Sequence, residues 1–184
     1  MALDVYTKVC AKNVSGNLNK VYFAKASSVS SVTLTNGEIS AITMAVGFQK
    51  YEADIDSVQF KLEGSGSSNY FTTQTLSMKF AKKTKELTDA IDDLAVDLPC
   101  GLVAIHVDGN GTAWLTGYDV EAKDPISRPL NKMKVTFDSG MKPSDEGGNQ
   151  YTVELTRESE YENYPFDATL SAAIIAATTT VFAP

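Results

Sequence analysis

Most of this chain divides into short segments in which apolar and polar residues alternate, and this period of two is what most constrains the fold. Such alternation indicates a strand with one buried face. Between the segments at residues 29–35 and 39–48, Asn36-Gly37 supplies the positive φ angles that a tight hairpin needs. The segments with strand character are residues 20–25, 29–35, 39–48, 51–62, 70–80, 102–107, 113–118, 133–137 and 151–155.

Turn residues, rather than helices, separate most of these segments. That layout favours an antiparallel sandwich or barrel of about eight to ten strands. The chain is 43% hydrophobic and 184 residues long, so it can bury a core and does not belong to the disordered class. We therefore predict a mainly β fold in which residues 1–167 form a single β-sandwich domain. Residues 168–184 are expected to form an uncharged C-terminal arm or the last strand.

One segment has the periodicity of a helix. Leu87, Ile91 and Leu94 recur at intervals of four and three residues, which places them on one stripe of a helix. Pro99 follows and cannot continue the helix. We therefore predict a flanking α-helix over about residues 85–98 that packs on the sheet through Leu87, Ile91 and Leu94.

In residues 51–62 the alternation changes phase. The carboxylates Glu52, Asp54 and Asp56 occupy even positions at first, but from position 58 the apolar residues occupy the even positions. Because strand side chains alternate with a period of two, this change predicts one long strand bent near Asp56 and Ser57. The three carboxylates would then share one face. Without sugar-stacking aromatic groups nearby, they indicate a solvated surface or a water-filled channel wall rather than an acid/base pair.

The last seventeen residues contain no charged side chain. They are a poor transmembrane segment, because they include several threonines and no charges follow them, so we expect no membrane insertion. Their threonines favour an extended strand added to the sheet edge of a neighbouring subunit. The apolar residues expected at that interface are Ile174, Ile175, Val181 and Phe182. The alternative is that the tail is the last strand of its own domain, and the alanines leave its first half ambiguous.

The sequence offers little that could support catalysis. His106 is the one histidine, and Cys100 lies too far along an extended strand to pair with it as a nucleophile. The Asp108-Gly109-Asn110-Gly111 turn departs from a calcium-binding loop at several ligand positions, and no phosphate-binding loop is present. We therefore predict a protein that is not an enzyme and that has no metal and no cofactor.

The two cysteines, Cys10 and Cys100, do not have the spacing of metal ligands. The chain starts without a basic segment or an apolar core of a signal peptide. We expect two reduced thiols in a protein made in the cytoplasm, and the alternative is a disulfide between Cys10 and Cys100.

Charge is distributed unevenly along the chain. The net charge is −7, which argues against a surface that clamps nucleic acid but suits one past which a polyanion slides. Residues 1–50 carry five lysines against Asp4 and Glu38, whereas residues 51–184 carry eleven basic and twenty-one acidic residues. This asymmetry is ordinary surface variation or the mark of a subunit whose two ends attract each other in a head-to-tail stack.

The order of elements resembles the major tail tube proteins of tailed bacteriophages. The likeness rests on the mid-chain helix and on the hairpin after it, which runs from residues 100–105 (CGLVAI) through residues 108–118 (DGNGTAWLTGY). The strand at residues 149–155 (NQYTVEL) fits the same pattern. The resemblance implies a virion protein, assembled in the host cytoplasm, whose hexameric rings stack into a tube that conducts DNA. Its partners would be further copies of itself and other tail or connector proteins.

Other functions stay open beside this one. The chain could be a head-tail connector, a tail terminator, a capsid decoration protein or a fibre-base protein. It could also be a bacterial β-sandwich binding module or, with the least support, an enzyme. A binding module would show aromatic residues clustered on loops, whereas most aromatic residues here are in phase with the strands.

Overall fold

The computed structural model describes residues 16–54, 56–66, 71–80, 83–120, 128–138 and 150–182. These residues form mainly antiparallel β-structure with one main flanking helix, which confirms the predicted fold class. The elements are β1 (Asn17–Lys25), β2 (Val29–Thr35), β3 (Glu38–Met44), β4 (Phe48–Glu52), β5 (Gln59–Ser65), β6 (Phe71–Phe80), α1 (Lys85–Asp97), β7 (Leu102–Asp108), β8 (Ala113–Thr116), β9 (Lys132–Asp138), β10 (Gln150–Ser159), β11 (Tyr164–Pro165), α2 (Ala168–Ala176) and β12 (Thr180–Val181).

The strands form three antiparallel sheets. A six-stranded sheet has the order β11-β8-β7-β1-β4-β12, and a four-stranded sheet has the order β5-β6-β10-β9. The hairpin β2-β3 is a separate two-stranded sheet, and its turn has positive φ angles at both Asn36 (54°) and Gly37 (82°), as predicted for that pair.

Two apolar cores lie on opposite sides of the six-stranded sheet. In the first core, Val21 and Phe23 of β1 pack with Leu76 of β6 and Val153 of β10, so this core joins the two larger sheets. The second core lies on the other side of the sheet, where β7 packs with the β2-β3 hairpin and α2. Strand β7 is therefore buried on both faces, which explains its nearly continuous apolar sequence.

Helix α1 confirms the predicted helix and ends one residue earlier than expected. The Thr84 hydroxyl accepts a hydrogen bond from the Leu87 amide at 3.1 Å and caps the N-terminus. Ile91 and Leu94 are buried in the first core, and Leu87 packs against that core while half-buried. All three predicted packing residues thus face the sheets.

The prediction of one long bent strand over residues 51–62 was wrong. The segment contains two strands, and β4 belongs to the six-stranded sheet whereas β5 belongs to the four-stranded sheet. Asp56, with a φ angle of 58°, lies in the connection, where the Ser57 hydroxyl donates to the Asp54 carbonyl at 2.7 Å. The phase change marks the point where the chain crosses from one sheet to the other.

The prediction that the tail is extended was wrong for its first half. Helix α2 begins after Asp167, whose carboxylate accepts a hydrogen bond from the Leu170 amide at 2.8 Å. Strand β12 then pairs with β4 of the same chain. The alanines, which have the highest helix propensity, outweigh the threonines in residues 168–176. Neither α2 nor any other helix among the described residues has the length and apolar character needed to span a membrane.

Candidate functional site

The outward side of the four-stranded sheet, which we call the polar face, is mainly hydrophilic. Its strands alternate between side chains buried in the first core and side chains that point away from it. Four lysines and four carboxylates are among the outward residues, so the polar face carries no net charge. The outward residues are Gln59, Lys61, Glu63, Ser65, Phe71, Thr73, Thr75, Ser77, Lys79, Lys132, Lys134, Thr136, Asp138, Gln150, Thr152, Glu154, Thr156 and Glu158, and Phe71 is the one large apolar side chain among them.

Ion pairs neutralise much of this face locally. Lys61 lies 2.9 Å from Glu63, and Lys134 lies 3.8 Å from Glu154 on the neighbouring strand. Lys132 donates to Glu158 at 2.8 Å, and this hydrogen bond lowers the pKa of the Glu158 carboxyl. Such exposed pairs add little stability. Because of these pairs, the lysines of the polar face do not form a cluster of uncompensated positive charge.

Both edges of the four-stranded sheet are open among the described residues. No described strand pairs with the outer edge of β5 or with the outer edge of β9. An open edge presents unpaired backbone N–H and C=O groups and is a template for another strand. The two edges are therefore surfaces on which a strand of another sheet could pair.

The structure separates the three carboxylates predicted to share a face. Glu52 ends β4, where Lys50 donates to it at 2.8 Å and lowers the pKa of its carboxyl. Glu52 and Asp54 line a cleft of about 590 Å³ beside α1. Asp54 and Asp56 line a different cleft, of about 630 Å³, which adjoins Lys79 at one end of the polar face. The prediction of a common strand face is wrong, because the chain turns between these residues.

The structure buries two of the four predicted interface residues in their own chain. Ile174 is fully buried, and Val181 is only 7% exposed, both in the second core. The Tyr22 hydroxyl donates to the Ile174 carbonyl at 2.9 Å and ties the end of α2 to β1. Ile175 is half-buried. Phe182, also half-buried, stacks on the Phe166 ring with a centroid distance of 5.7 Å.

These contacts correct the expectation that the tail is an arm added to a neighbouring subunit. The tail completes the second core of its own chain, which agrees with the alternative that it belongs to its own domain. Of the four predicted interface residues, Ile175 and Phe182 are the two that keep partly exposed surfaces.

His106 is buried. Its ring stacks on Phe60 at 4.4 Å, and its Nδ1 atom has no hydrogen-bond partner among the described residues. Burial lowers its pKa to about 4, although the Asp108 carboxylate opposes the shift. The imidazole is therefore neutral near pH 7.

The sequence did not predict the buried polar network around Arg157. Arg157 donates to Asp119 at 2.7 Å and to the Gln74 side chain at 2.8 Å, and all three residues are fully buried. The Ser159 hydroxyl also donates to Asp119, at 2.7 Å. Arg157 continues the inward phase of Val153 and Leu155 on β10, so the alternation alone could have marked it as buried. The network links the polar side chains at one end of the first core, and these side chains do not contact solvent.

The described residues contain no group of side chains arranged to hold a metal ion. Cys100 is an exposed free thiol, whereas Cys10 lies outside the described residues. No family model, curated protein or solved structure matches this chain. The polar face and its open edges are therefore the features of the molecule from which a function can be inferred.

Proposed function

We propose that the chain is a structural virion subunit whose copies join edge to edge into closed rings, and that these rings stack into the tail tube of a tailed bacteriophage. One observation carries the proposal. The four-stranded sheet has one face covered by its own chain, one neutral polar face, and open edges on β5 and β9. The hexameric symmetry comes from the resemblance alone.

The direction of the two edge strands permits this association. Each pair of neighbours in the four-stranded sheet is antiparallel, so β5 and β9 run in opposite directions. When β9 of one copy lies beside β5 of the next, the joined sheet continues with the same antiparallel pattern. The contact joins different surfaces, so it is heterologous and generates a ring or a filament rather than a closed dimer.

Steric bulk determines which face would line the channel. The inward face of the four-stranded sheet carries the six-stranded sheet and α1, and these layers have to lie outside a ring of joined sheets. The polar face then surrounds the axis. Its balanced charge suits the passage of DNA, because an excess of lysines would retain the phosphate backbone.

The predicted lumen residues take different places in this proposal. Asp54 and Asp56 adjoin one end of the polar face and would lie at the rim of the channel, between stacked rings. Glu52 lies beside α1 and would face away from the axis. A connector or tail terminator would share the ring but would not polymerise into a tube, so stacking distinguishes these parts.

Sedimentation velocity over a wide range of protein concentration tests the assembly. We expect species much larger than one chain that grow with concentration, because each copy offers two complementary edges. A strict monomer at the highest concentration, with no polymer after seeding, would rule the proposal out.

DNA retention tests the channel wall. Replacing Thr75 and Thr152 with lysine should make assembled particles retain double-stranded DNA in low salt, because the new cations face the axis. The control is Glu86→Lys on α1, which lies outside the ring. Equal retention by both variants would contradict the assignment of the polar face.

A further inference from the structure

Among the described residues, the sandwich is open along the side where β5 lies beside β7 and β8. Phe60 and Leu62 of β5 point toward the six-stranded sheet, and His106 and Trp114 point back from β7 and β8, where they are directly opposite each other. Between these groups lies a cleft of about 470 Å³ with Glu162 and Asn163 at its margin. We call this cleft the aromatic socket. Phe60 and Trp114 are only half-buried there.

Apolar side chains protrude at the opposite edge of the four-stranded sheet. Val135 and Phe137 of β9 are 38% and 42% exposed although they lie on the inward side of the sheet, opposite Val153 and Tyr151. Contacts with the Tyr151 ring, at a centroid distance of 5.2 Å, orient Phe137. Exposed apolar groups on an open strand edge are the kind of surface that a partner covers.

The two edges match in length, direction and chemistry. Strands β5 and β9 each have seven residues. If they pair antiparallel over their full length, Phe60 lies opposite Phe137 and Leu62 lies opposite Val135 on the inward side. On the polar face the same register places Glu63 opposite Lys134. A shift by one residue would put apolar side chains on the polar face, so only registers that differ by two residues compete.

We propose that the aromatic socket receives Val135 and Phe137 from β9 of a second copy of this chain, in the register that pairs Leu62 with Val135. The proposal rests on the proposed function, because it specifies the contact that would close the ring. The added strand seals the open side of the sandwich, and Phe137 of the neighbour enters between Phe60 and Trp114. Each copy is then both donor and acceptor, as a closed ring requires.

Disulfide trapping tests the register. Leu62→Cys and Val135→Cys are introduced into a chain in which Cys10 and Cys100 are serine. Residues directly opposite each other on antiparallel strands have Cα atoms close enough for a disulfide. Within one chain the two positions are three strand spacings apart, about 14 Å, which prevents an internal bond. We expect oxidation to give a ladder of covalent multimers.

The control pairs Lys61→Cys with Val135→Cys, whose side chains point to opposite faces in every register that keeps the apolar groups inward. It should give no ladder. If the parent chain assembles into rings but the Leu62/Val135 variant forms no ladder, the socket inference is overturned and the proposed function stands. If the chain neither assembles nor cross-links, both fail. A ladder without stacked tubes supports the socket and contradicts the tube.

Fluorescence of the single tryptophan reports on the socket itself. Trp114 is the one tryptophan in the chain, so its emission maximum should shift to shorter wavelength on assembly as Phe137 of the neighbour excludes water. Phe137→Ala should abolish the shift and weaken association by roughly tenfold or more. The matched control is Phe71→Ala, because Phe71 is equally exposed but lies away from the socket.

An assembly-dependent shift that survives Phe137→Ala would overturn the inference. So would a shift that a monosaccharide mixture produces in the monomer, because it would make the socket a small-ligand site.

Discussion

Replacing His106 with phenylalanine tests whether burial of this side chain makes the fold sensitive to acid. His106 is 2% exposed, and its pKa in the folded chain is about 4, against an ordinary value of 6.5. Because the folded pKa is the lower of the two, the unfolded chain takes up a proton first as the pH falls. Stability is therefore complete above about pH 6.5 and declines as the pH approaches 4.

The size of this effect follows from the two pKa values. Relative to neutral pH, linkage predicts a loss on the order of 1 kcal/mol at about pH 5.5 and on the order of 2 kcal/mol at about pH 4.5. The carboxylates also titrate at the acid end of this range. They do so in both proteins, so the difference between parent and variant isolates the histidine, which is the only one in the chain.

Urea unfolding of the parent and of His106→Phe, measured from about pH 7.5 to about pH 4.5, gives this difference directly. Phenylalanine keeps the stacking on Phe60 but cannot titrate. We expect the free energy of unfolding of the variant, relative to that of the parent, to rise steadily as the pH falls. A stability difference that is independent of pH would refute the reasoning, because it would mean that His106 titrates normally in the folded chain.

Three further substitutions or truncations test the fold. Ile91→Ala should lower the free energy of unfolding by roughly 2–5 kcal/mol because it leaves a cavity under α1, whereas Val96→Ala, at a 75% exposed position on the same helix, should change it little; equal effects would contradict the packing. Asp119→Ala should cost roughly 3–5 kcal/mol because it removes the carboxylate that neutralises the buried Arg157 guanidinium, and a loss well below that would show that water reaches the site. Deleting residues 168–184 should destabilise or unfold the chain by circular dichroism, and a stable, native-like truncation would restore the free-arm interpretation.

The strands and α1 could be predicted because their signals are local. Alternation marks a strand wherever one face is buried, and the stripe of Leu87, Ile91 and Leu94 marks the buried side of a helix. The same local signal cannot say to which sheet a strand belongs. The phase change before Val58 fits a bend within one strand and a crossing between two sheets equally well, and only the packing of β4 and β5 distinguishes them.

The tail shows a second limit of local signals. The apolar residues of the uncharged tail indicate that something covers them, and Ile174 and Val181 are indeed buried, but the sequence does not say whether the cover is the same chain or another. Helix α2 has apolar residues on all sides, so it has no stripe to reveal its period. Ile174 contacts residues that are distant in sequence. The Tyr22 hydroxyl, which donates a hydrogen bond to the Ile174 carbonyl, belongs to β1, about 150 residues away.

The candidate site could be predicted only in part. The sequence predicts a water-facing polar surface, but it directs attention to Glu52, Asp54 and Asp56, which line two different clefts. The polar face depends on the pairing of β5 and β6 with β9 and β10, which are far apart in sequence. Its balance of charge is therefore visible only after the register is known.

Electron cryo-microscopy of assembled particles of the purified full-length chain tests the central claim most directly. We predict rings stacked into a tube, with the side chains of Thr75, Thr152, Lys134 and Glu154 on the wall of the central channel and α1 on the outside. Particles of a single chain at every concentration would contradict the account, and so would a ring whose channel is lined by α1 or by the six-stranded sheet.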